Sequence, residues 1–191
     1  MLYGAQAAAN FKPDNDSHYM LGVSGYLYDN VEGYDVIDWS GGNKGYGNST
    51  QTGTVSGNTT NKAYACGFTQ IEPFVEVGFK VGLPVTIYGQ YVVNTEADDN
   101  DTGYLAGFTV GKAKDPKTFE VGYNYRHLEK DAVLGAFADS DRWGGGTDGE
   151  GHKFYARYQL AANWQLAAAY FMDDKAISKD GTDYDRVQVD L

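Results

Sequence analysis

The run EPFVEVGFKVGLPVTIYGQYVVN, residues 72–94, decides the fold class of this chain. Apolar side chains occupy every second position before Gly82, and charged side chains such as Glu76 and Lys80 stand on the other side. The alternation resumes after Gly82 and returns in residues 118–128. Successive side chains of a β-strand point to opposite faces, so each segment has one apolar and one polar face. The pattern predicts amphipathic strands of an antiparallel sheet.

Composition narrows the function classes. The chain has 191 residues and a formal net charge of −11, which disfavours a nucleic-acid partner because phosphate binding needs a basic surface. No uninterrupted apolar run approaches the roughly 20 residues of a membrane helix. A membrane β-barrel needs only every second strand residue to be apolar, so this class stays open.

The same alternation recurs along the chain and predicts about nine strands in a single region, residues 1–191. Short turns alternate with long loops, and the longest loops are predicted at residues 30–61 and 129–151. Barrels of the bacterial outer membrane have short periplasmic turns and long external loops. We therefore predict an all-β antiparallel transmembrane β-barrel in the bacterial outer membrane, with these loops on the external side.

The predicted number of strands indicates whether this chain alone could form a closed barrel. Single-chain bacterial barrels have an even number of strands, so nine strands cannot close in the usual topology. The count predicts that the chain is the C-terminal part of a barrel of about sixteen strands. The alternative is that the weakly patterned first segment is a plug or extension, which leaves an eight-stranded barrel.

Two stretches carry a resemblance to a known family. They are GLPVTIYGQYVVNTEADDNDTGYLAGFTVGKAKDPKTFEVGYNYRHLEKDAVLGAFADSD, residues 82–141, and YDRVQVDL, residues 184–191. The chain resembles the C-terminal region of a family of putative porins from Gram-negative bacteria. The resemblance implies a longer parent of about sixteen strands and passive diffusion of small hydrophilic solutes and ions through a water-filled channel. It implies no catalytic motif.

Polar positions of the strands are predicted to line the lumen. The ten candidate side chains are Glu72, Glu76, Lys80, Gln90, Glu120, Asn124, Arg126, Lys153, Arg157 and Arg186. We expect basic and acidic groups in different sectors, which would create a transverse field that tunes ion selectivity. The alternative is a set of scattered ion pairs that merely solvate the wall.

Four glycines also fall at inward positions of neighbouring strands: Gly78, Gly107, Gly111 and Gly122. They predict either a smooth strip against which an inserted loop packs or relief of strain where the barrel bends.

Candidate reactive groups are sparse. Asp98, Asp99 and Asp101 are weak candidates for a hard cation, but their loop lacks EF-hand spacing, so we predict no metal site and no cofactor. The single cysteine, Cys66, has no partner for a disulfide or a cysteine-based zinc site and is expected to be a small wall residue. No nucleophile–base motif is present, so the protein is not predicted to be an enzyme.

The predicted function is therefore a diffusion porin. Its expected partners are outer-membrane lipid, lipopolysaccharide and small hydrophilic solutes, with a possible homotrimer. The first alternative is a small closed barrel that acts as an adhesin or structural protein through its long acidic loops. A barrel enzyme and a soluble β-sandwich are the further rivals.

Overall fold

The computed structural model describes residues 1–39, 45–55 and 58–191. The strands of this part are β1 (Leu2–Phe11), β2 (His18–Tyr28), β3 (Thr50–Val55), β4 (Asn58–Tyr64), β5 (Phe68–Val81), β6 (Leu83–Asn94), β7 (Thr102–Gly111), β8 (Phe119–Leu128), β9 (Gly149–Ala161), β10 (Trp164–Lys175) and β11 (Thr182–Asp190). A 3-10 turn lies at Gly135–Phe137. No helix in these ranges is long and apolar enough to cross a membrane.

Nine of these strands form one antiparallel sheet in the order β1-β2-β5-β6-β7-β8-β9-β10-β11. The prediction of an all-β antiparallel fold with about nine strands is confirmed. The predicted first strand is genuine, since β1 pairs with β2 along its whole length from Leu2↔Tyr28 to Phe11↔Tyr19. The sheet is open, with β1 and β11 at its edges, so closure into a barrel stays a prediction.

The connections between strands correct two sequence predictions. The segment predicted as a long irregular loop at residues 30–61 contains β3 and the first residues of β4, which form a hairpin that ends at Tyr64. Residues 40–44 and 56–57 lie outside the described residues. The predicted loop at 129–151 ends at residue 148, because β9 begins at Gly149. Pairing with β8 and β10 extends the strand into this Gly-rich segment, which has no alternation to reveal it.

The predicted strict alternation of loop length is wrong in detail. Two connections at one end of the sheet are long, namely the β2–β5 loop (residues 29–67) and the β8–β9 loop (residues 129–148). The β10–β11 connection, residues 176–181, lies at the same end of the sheet. It is no longer than the β1–β2 turn, residues 12–17, at the opposite end. The two ends of the sheet therefore differ in loop length only because of the β2–β5 and β8–β9 loops.

One face of the sheet, here the apolar face, is exposed along its whole width. Its exposed members include Leu21, Val23, Val75, Ile87, Phe108, Val121, Phe154, Leu166 and Val187. No second sheet covers them in the described ranges, so the β-sandwich alternative is wrong. An apolar surface this extended indicates contact with a membrane or another protein.

The small buried core lies on the opposite, polar face, beneath the two long loops. One cluster joins Val36, Tyr64, Phe68 and Leu134, so it draws on both loops. A second cluster joins Val92, Leu128, Ala132 and Trp143, which packs the β8–β9 loop against β6 and β8. The molecule thus buries apolar side chains where its loops fold over a polar sheet surface.

Candidate functional site

The ten side chains predicted to line a lumen share the polar face. Their common face follows from the register, in which one row of direct neighbours runs Glu76↔Tyr88, Tyr88↔Gly107, Gly107↔Asn124, Asn124↔Lys153, Lys153↔Phe171 and Phe171↔Arg186. Each of the remaining six lies two or four residues along its strand from a member of this row. Its side chain therefore points to the same face. Whether they line a pore stays a prediction.

Several of the ten are engaged in ion pairs. Those pairs are His18–Glu76 at 2.7 Å, Lys80–Asp16 at 3.8 Å, Arg157–Glu120 at 3.0 Å and Arg186–Asp141 at 3.0 Å. The expected separation of acidic and basic sectors is wrong for Glu120, which lies against a basic residue. At these positions the structure favours the alternative of local ion pairs, because each charge has an opposite charge nearby: on an adjacent strand for Glu76 and Glu120, in the β1–β2 turn for Lys80 and in the β8–β9 loop for Arg186.

The β8–β9 loop is anchored on the polar face by a buried arginine. Arg142 Nη1 donates a hydrogen bond to Asp173 Oδ1 at 2.6 Å, and Nη2 donates to Asn124 Oδ1. The side chains of Arg142 and Asp173 are 2% and 0% exposed, and the guanidinium also lies 5.7 Å from the centre of the Phe171 ring. A charge taken out of water needs such pairing and hydrogen bonding. The contact therefore fixes the loop to β8 and β10.

Trp143 completes the anchor. Its backbone N–H donates to Asp173 Oδ2 at 3.2 Å and its indole N–H donates to the Gly146 carbonyl at 3.1 Å. The ring covers Gly149, where any added Cβ would collide with it. Arg126 stacks on the indole, with 5.5 Å from the guanidinium carbon to the ring centroid.

The two long loops are joined to one another by buried amides. Asn48 Nδ2 donates to the carbonyls of Lys130 and Val133 at 2.6 and 2.8 Å, and its Oδ1 accepts from the Gly135 N–H at 2.8 Å. Asn94, fully buried at the end of β6, donates to the carbonyl of Asp131 at 2.8 Å. The β8–β9 loop is thus held both by the sheet and by the neighbouring loop.

A groove remains between this loop and the wall. It measures about 290 Å³, and its floor is formed by Gln70, Glu72, Gln90 and Arg126 while Asp139 belongs to the loop side. A second, wider depression of about 940 Å³ lies on the same face at the short-turn end. The loop therefore narrows the space over the polar face at the long-loop end.

The first of the two roles predicted for the glycines on this face, a platform for an inserted loop, is not observed; strain relief stays a prediction. Gly78 pairs with His18, and Gly122 pairs with Tyr155. In each pair the partner's ring occupies the space that a Cβ atom at the glycine would need. Gly107 and Gly111 are likewise crowded by neighbouring strands rather than by the β8–β9 loop. The β8–β9 loop instead packs over Gly149 through Trp143. The prediction that the four glycines form a platform for an inserted loop is therefore wrong for this loop.

The weak metal candidates lie in the exposed β6–β7 connection, residues 95–101, which contains Asp98, Asp99 and Asp101. Among the residues that the structure describes, no group of three or more His, Cys, Asp or Glu side chains is arranged to hold a metal ion.

Cys66 lies between β4 and β5, not within the main sheet, and packs against the Val36–Tyr64 cluster. The expectation of a small wall residue is therefore wrong as to its place. Burial, followed by the negative charges of Asp131, Glu32 and Glu96, raises the pKa of the Cys66 thiol from its ordinary 9.0 to about 12. The thiolate is the reactive form, so the thiol is expected to be inert at neutral pH.

We expect native Cys66 to react with iodoacetamide at pH 8 roughly 10³-fold more slowly than a free cysteine, since its thiolate population falls tenfold per pH unit of pKa increase. Mass spectrometry of timed samples measures the rate. The matched control is Asn15→Cys in a Cys66→Ser background, because position 15 lies in an exposed turn. Equal labelling rates at the two positions would contradict the burial of Cys66. The raised pKa also affects stability. The free energy of unfolding is expected to fall as pH rises from about 9 towards 12, because in this range the Cys66 thiol ionises in the unfolded chain and not in the folded one.

Sequence reasoning missed the anchor of the β8–β9 loop. Arg142, Trp143 and Asp173 were not among the candidate residues, although Asn124 was. A usable signal was present in Gly144, Gly145 and Gly146, whose φ angles are +84°, +94° and +91°. Three successive glycines after Arg-Trp permit the left-handed turn that directs both side chains back onto the sheet.

Comparison with known proteins identifies a family. Residues 66–191, which comprise β5 to β11 of the main sheet, match the family described as putative porin. No curated protein and no solved structure matches the chain.

Proposed function

The chain belongs to the putative porin family, and from this premise we propose that it forms a sector of an outer-membrane β-barrel. The barrel conducts small hydrophilic solutes and ions. The β8–β9 loop is the element that narrows the channel in this proposal. The single observation that carries it is the fold of this loop over the polar face while the opposite face stays apolar and exposed.

The division of the two faces supports a membrane location. Lipid-facing and lumen-facing residues alternate along the strands of transmembrane barrels. Here the apolar face would contact outer-membrane lipid, and lipopolysaccharide would meet it at the long-loop end. A homotrimer stays a prediction.

The open edges bear on how the barrel closes. In an antiparallel sheet of nine strands, β1 and β11 run in the same direction, so direct pairing of these edges would be parallel. An odd number of additional strands between them restores antiparallel pairing throughout. We propose closure in this way, with about sixteen strands in all, which leaves an aqueous channel rather than a filled interior.

Single-channel recording in a planar bilayer tests the proposal. The purified protein in detergent is expected to give large, steady conductance steps that scale with salt concentration. Folded protein that inserts into the bilayer but never conducts would contradict a pore. That result would favour the small closed barrel, in which the long loops bind a surface partner.

A further inference from the structure

The groove beneath the β8–β9 loop contains polar side chains that make no hydrogen bond or ion pair with the described residues. The amide nitrogen of Gln70 is fully buried and has no hydrogen-bond partner, and the residue is 5% exposed. Within the described residues, Glu72 and Arg126 form no hydrogen bond and no ion pair within 4.0 Å. Most buried polar groups in native proteins are paired, so the unpaired Gln70 amide needs an explanation. Glu72 and Arg126 are partly buried and line the same groove.

The two opposite charges face one another without touching. Glu72 and Arg126 interact electrostatically, as do Asp139 and Arg126, yet neither carboxylate approaches within ion-pair distance of the guanidinium. β5 supplies Glu72 and β8 supplies Arg126, so two intervening strands hold the charges apart. Arg126 is further fixed by stacking on Trp143, which prevents its collapse onto a carboxylate.

The size of the groove limits what can fill it. A volume of about 290 Å³ corresponds to roughly ten water molecules at about 30 Å³ each. The aromatic rings of Tyr26, Tyr28 and Phe137 border it. An amino acid or dipeptide fits this volume.

We propose that this groove is a binding subsite for small zwitterionic solutes, amino acids and dipeptides, whose carboxylate binds Arg126 and Gln70 and whose ammonium binds Glu72 and Asp139. The proposal deepens the channel function and rests on it for its role in transport. The terminal torsion of a glutamine amide is soft, so Gln70 can turn its N–H groups towards a bound carboxylate.

The arrangement disfavours solutes of a single charge. A plain anion meets Glu72 and Asp139 as well as Arg126, and a plain cation meets Arg126. A zwitterion satisfies both signs at once, and the site's unpaired polar groups then gain partners. The nearby Arg142 does not compete for the carboxylate, because Asp173 and Asn124 already occupy its guanidinium.

The test uses glycylglycine as the zwitterion and N-acetylglycinamide as a neutral solute of similar size. Single-channel current is expected to fall with increasing glycylglycine and to saturate, whereas N-acetylglycinamide has no saturable effect. Glu72→Gln and Arg126→Gln are each expected to raise the half-blocking concentration about tenfold or more, because each removes a charge-assisted contact. The matched control is Arg157→Gln, which changes a cation on the same face that pairs with Glu120 outside the groove.

Binding is measured separately from conduction through Trp143, which contacts Arg126. In a Trp39→Phe, Trp164→Phe background Trp143 is the sole tryptophan, and its emission is expected to change saturably with glycylglycine. Channels that conduct without saturable block or an emission change would overturn the zwitterion subsite and leave the porin function intact. An emission change in protein that never conducts would support the subsite and overturn the porin. Equal effects of glycylglycine and N-acetylglycinamide would also overturn the subsite.

Discussion

Replacement of Arg142 by methionine is expected to lower the free energy of unfolding by about 3–5 kcal/mol, because it leaves the buried Asp173 carboxylate without its cation. Both side chains of this pair are almost fully buried, and their contact is 2.6 Å long. Asn124 loses its donor as well. Urea titration of the detergent-solubilised protein, followed by far-UV circular dichroism, measures the change.

The matched control is Arg157→Met. Arg157 also pairs with a carboxylate, Glu120, at 3.0 Å, but its side chain is 49% exposed. An exposed pair contributes less than about 1 kcal/mol, so the control is expected to be nearly neutral. Asp173→Asn in the Arg142→Met background is expected to recover part of the loss, since it removes the unpaired charge. Equal effects of Arg142→Met and Arg157→Met would mean that the arginine does not anchor the β8–β9 loop.

Trp143→Ala is the second large effect. The tryptophan is 4% exposed and packs with Val92, Leu128 and Ala132, so its truncation leaves a cavity beneath the loop. Removal of a buried tryptophan side chain costs about 3–5 kcal/mol. The same urea titration measures this change, and limited proteolysis is expected to cut the variant within residues 129–148.

Trp39→Ala provides the comparison. Trp39 is 68% exposed; its indole N–H donates a hydrogen bond to the Ala136 carbonyl at 2.9 Å, and its ring lies edge-on to Phe137 with 6.0 Å between the ring centroids. Loss of such a bond costs about 1 kcal/mol. A Trp143→Ala variant as stable as Trp39→Ala, with a loop still resistant to protease, would contradict the packing described for Trp143.

Local periodicity explains why the sheet was predictable. Strand alternation depends only on near neighbours, so the charged residues at positions 72, 76 and 80 reveal their shared face directly. The same reasoning put Arg126 and Lys153 on one face of neighbouring strands, as the register shows. Family resemblance added the porin expectation, which the match over residues 66–191 confirms at the level of the family.

The interior of the site was not predictable in the same way. Arg142 contacts Asp173 across 31 positions of sequence, and no period links a loop residue to its partner on a distant strand. The β3–β4 hairpin escaped detection because Thr, Gly and Asn dominate its strands and offer little apolar alternation. The partly wrong prediction of separate charge sectors followed from ignoring cross-strand neighbours such as Glu120 and Arg157.

Cysteine accessibility is the most direct test of the claim that the polar face lines a conducting lumen. In a Cys66→Ser background, Gln90→Cys places a thiol on the polar face and Ile87→Cys places one on the apolar face, both on β6. A charged, membrane-impermeant methanethiosulfonate reagent is then added during single-channel recording. We predict stepwise current loss for Gln90→Cys and no change for Ile87→Cys. Current loss through Ile87→Cys, with Gln90→Cys unaffected, would contradict the assignment of the faces and with it the proposed pore.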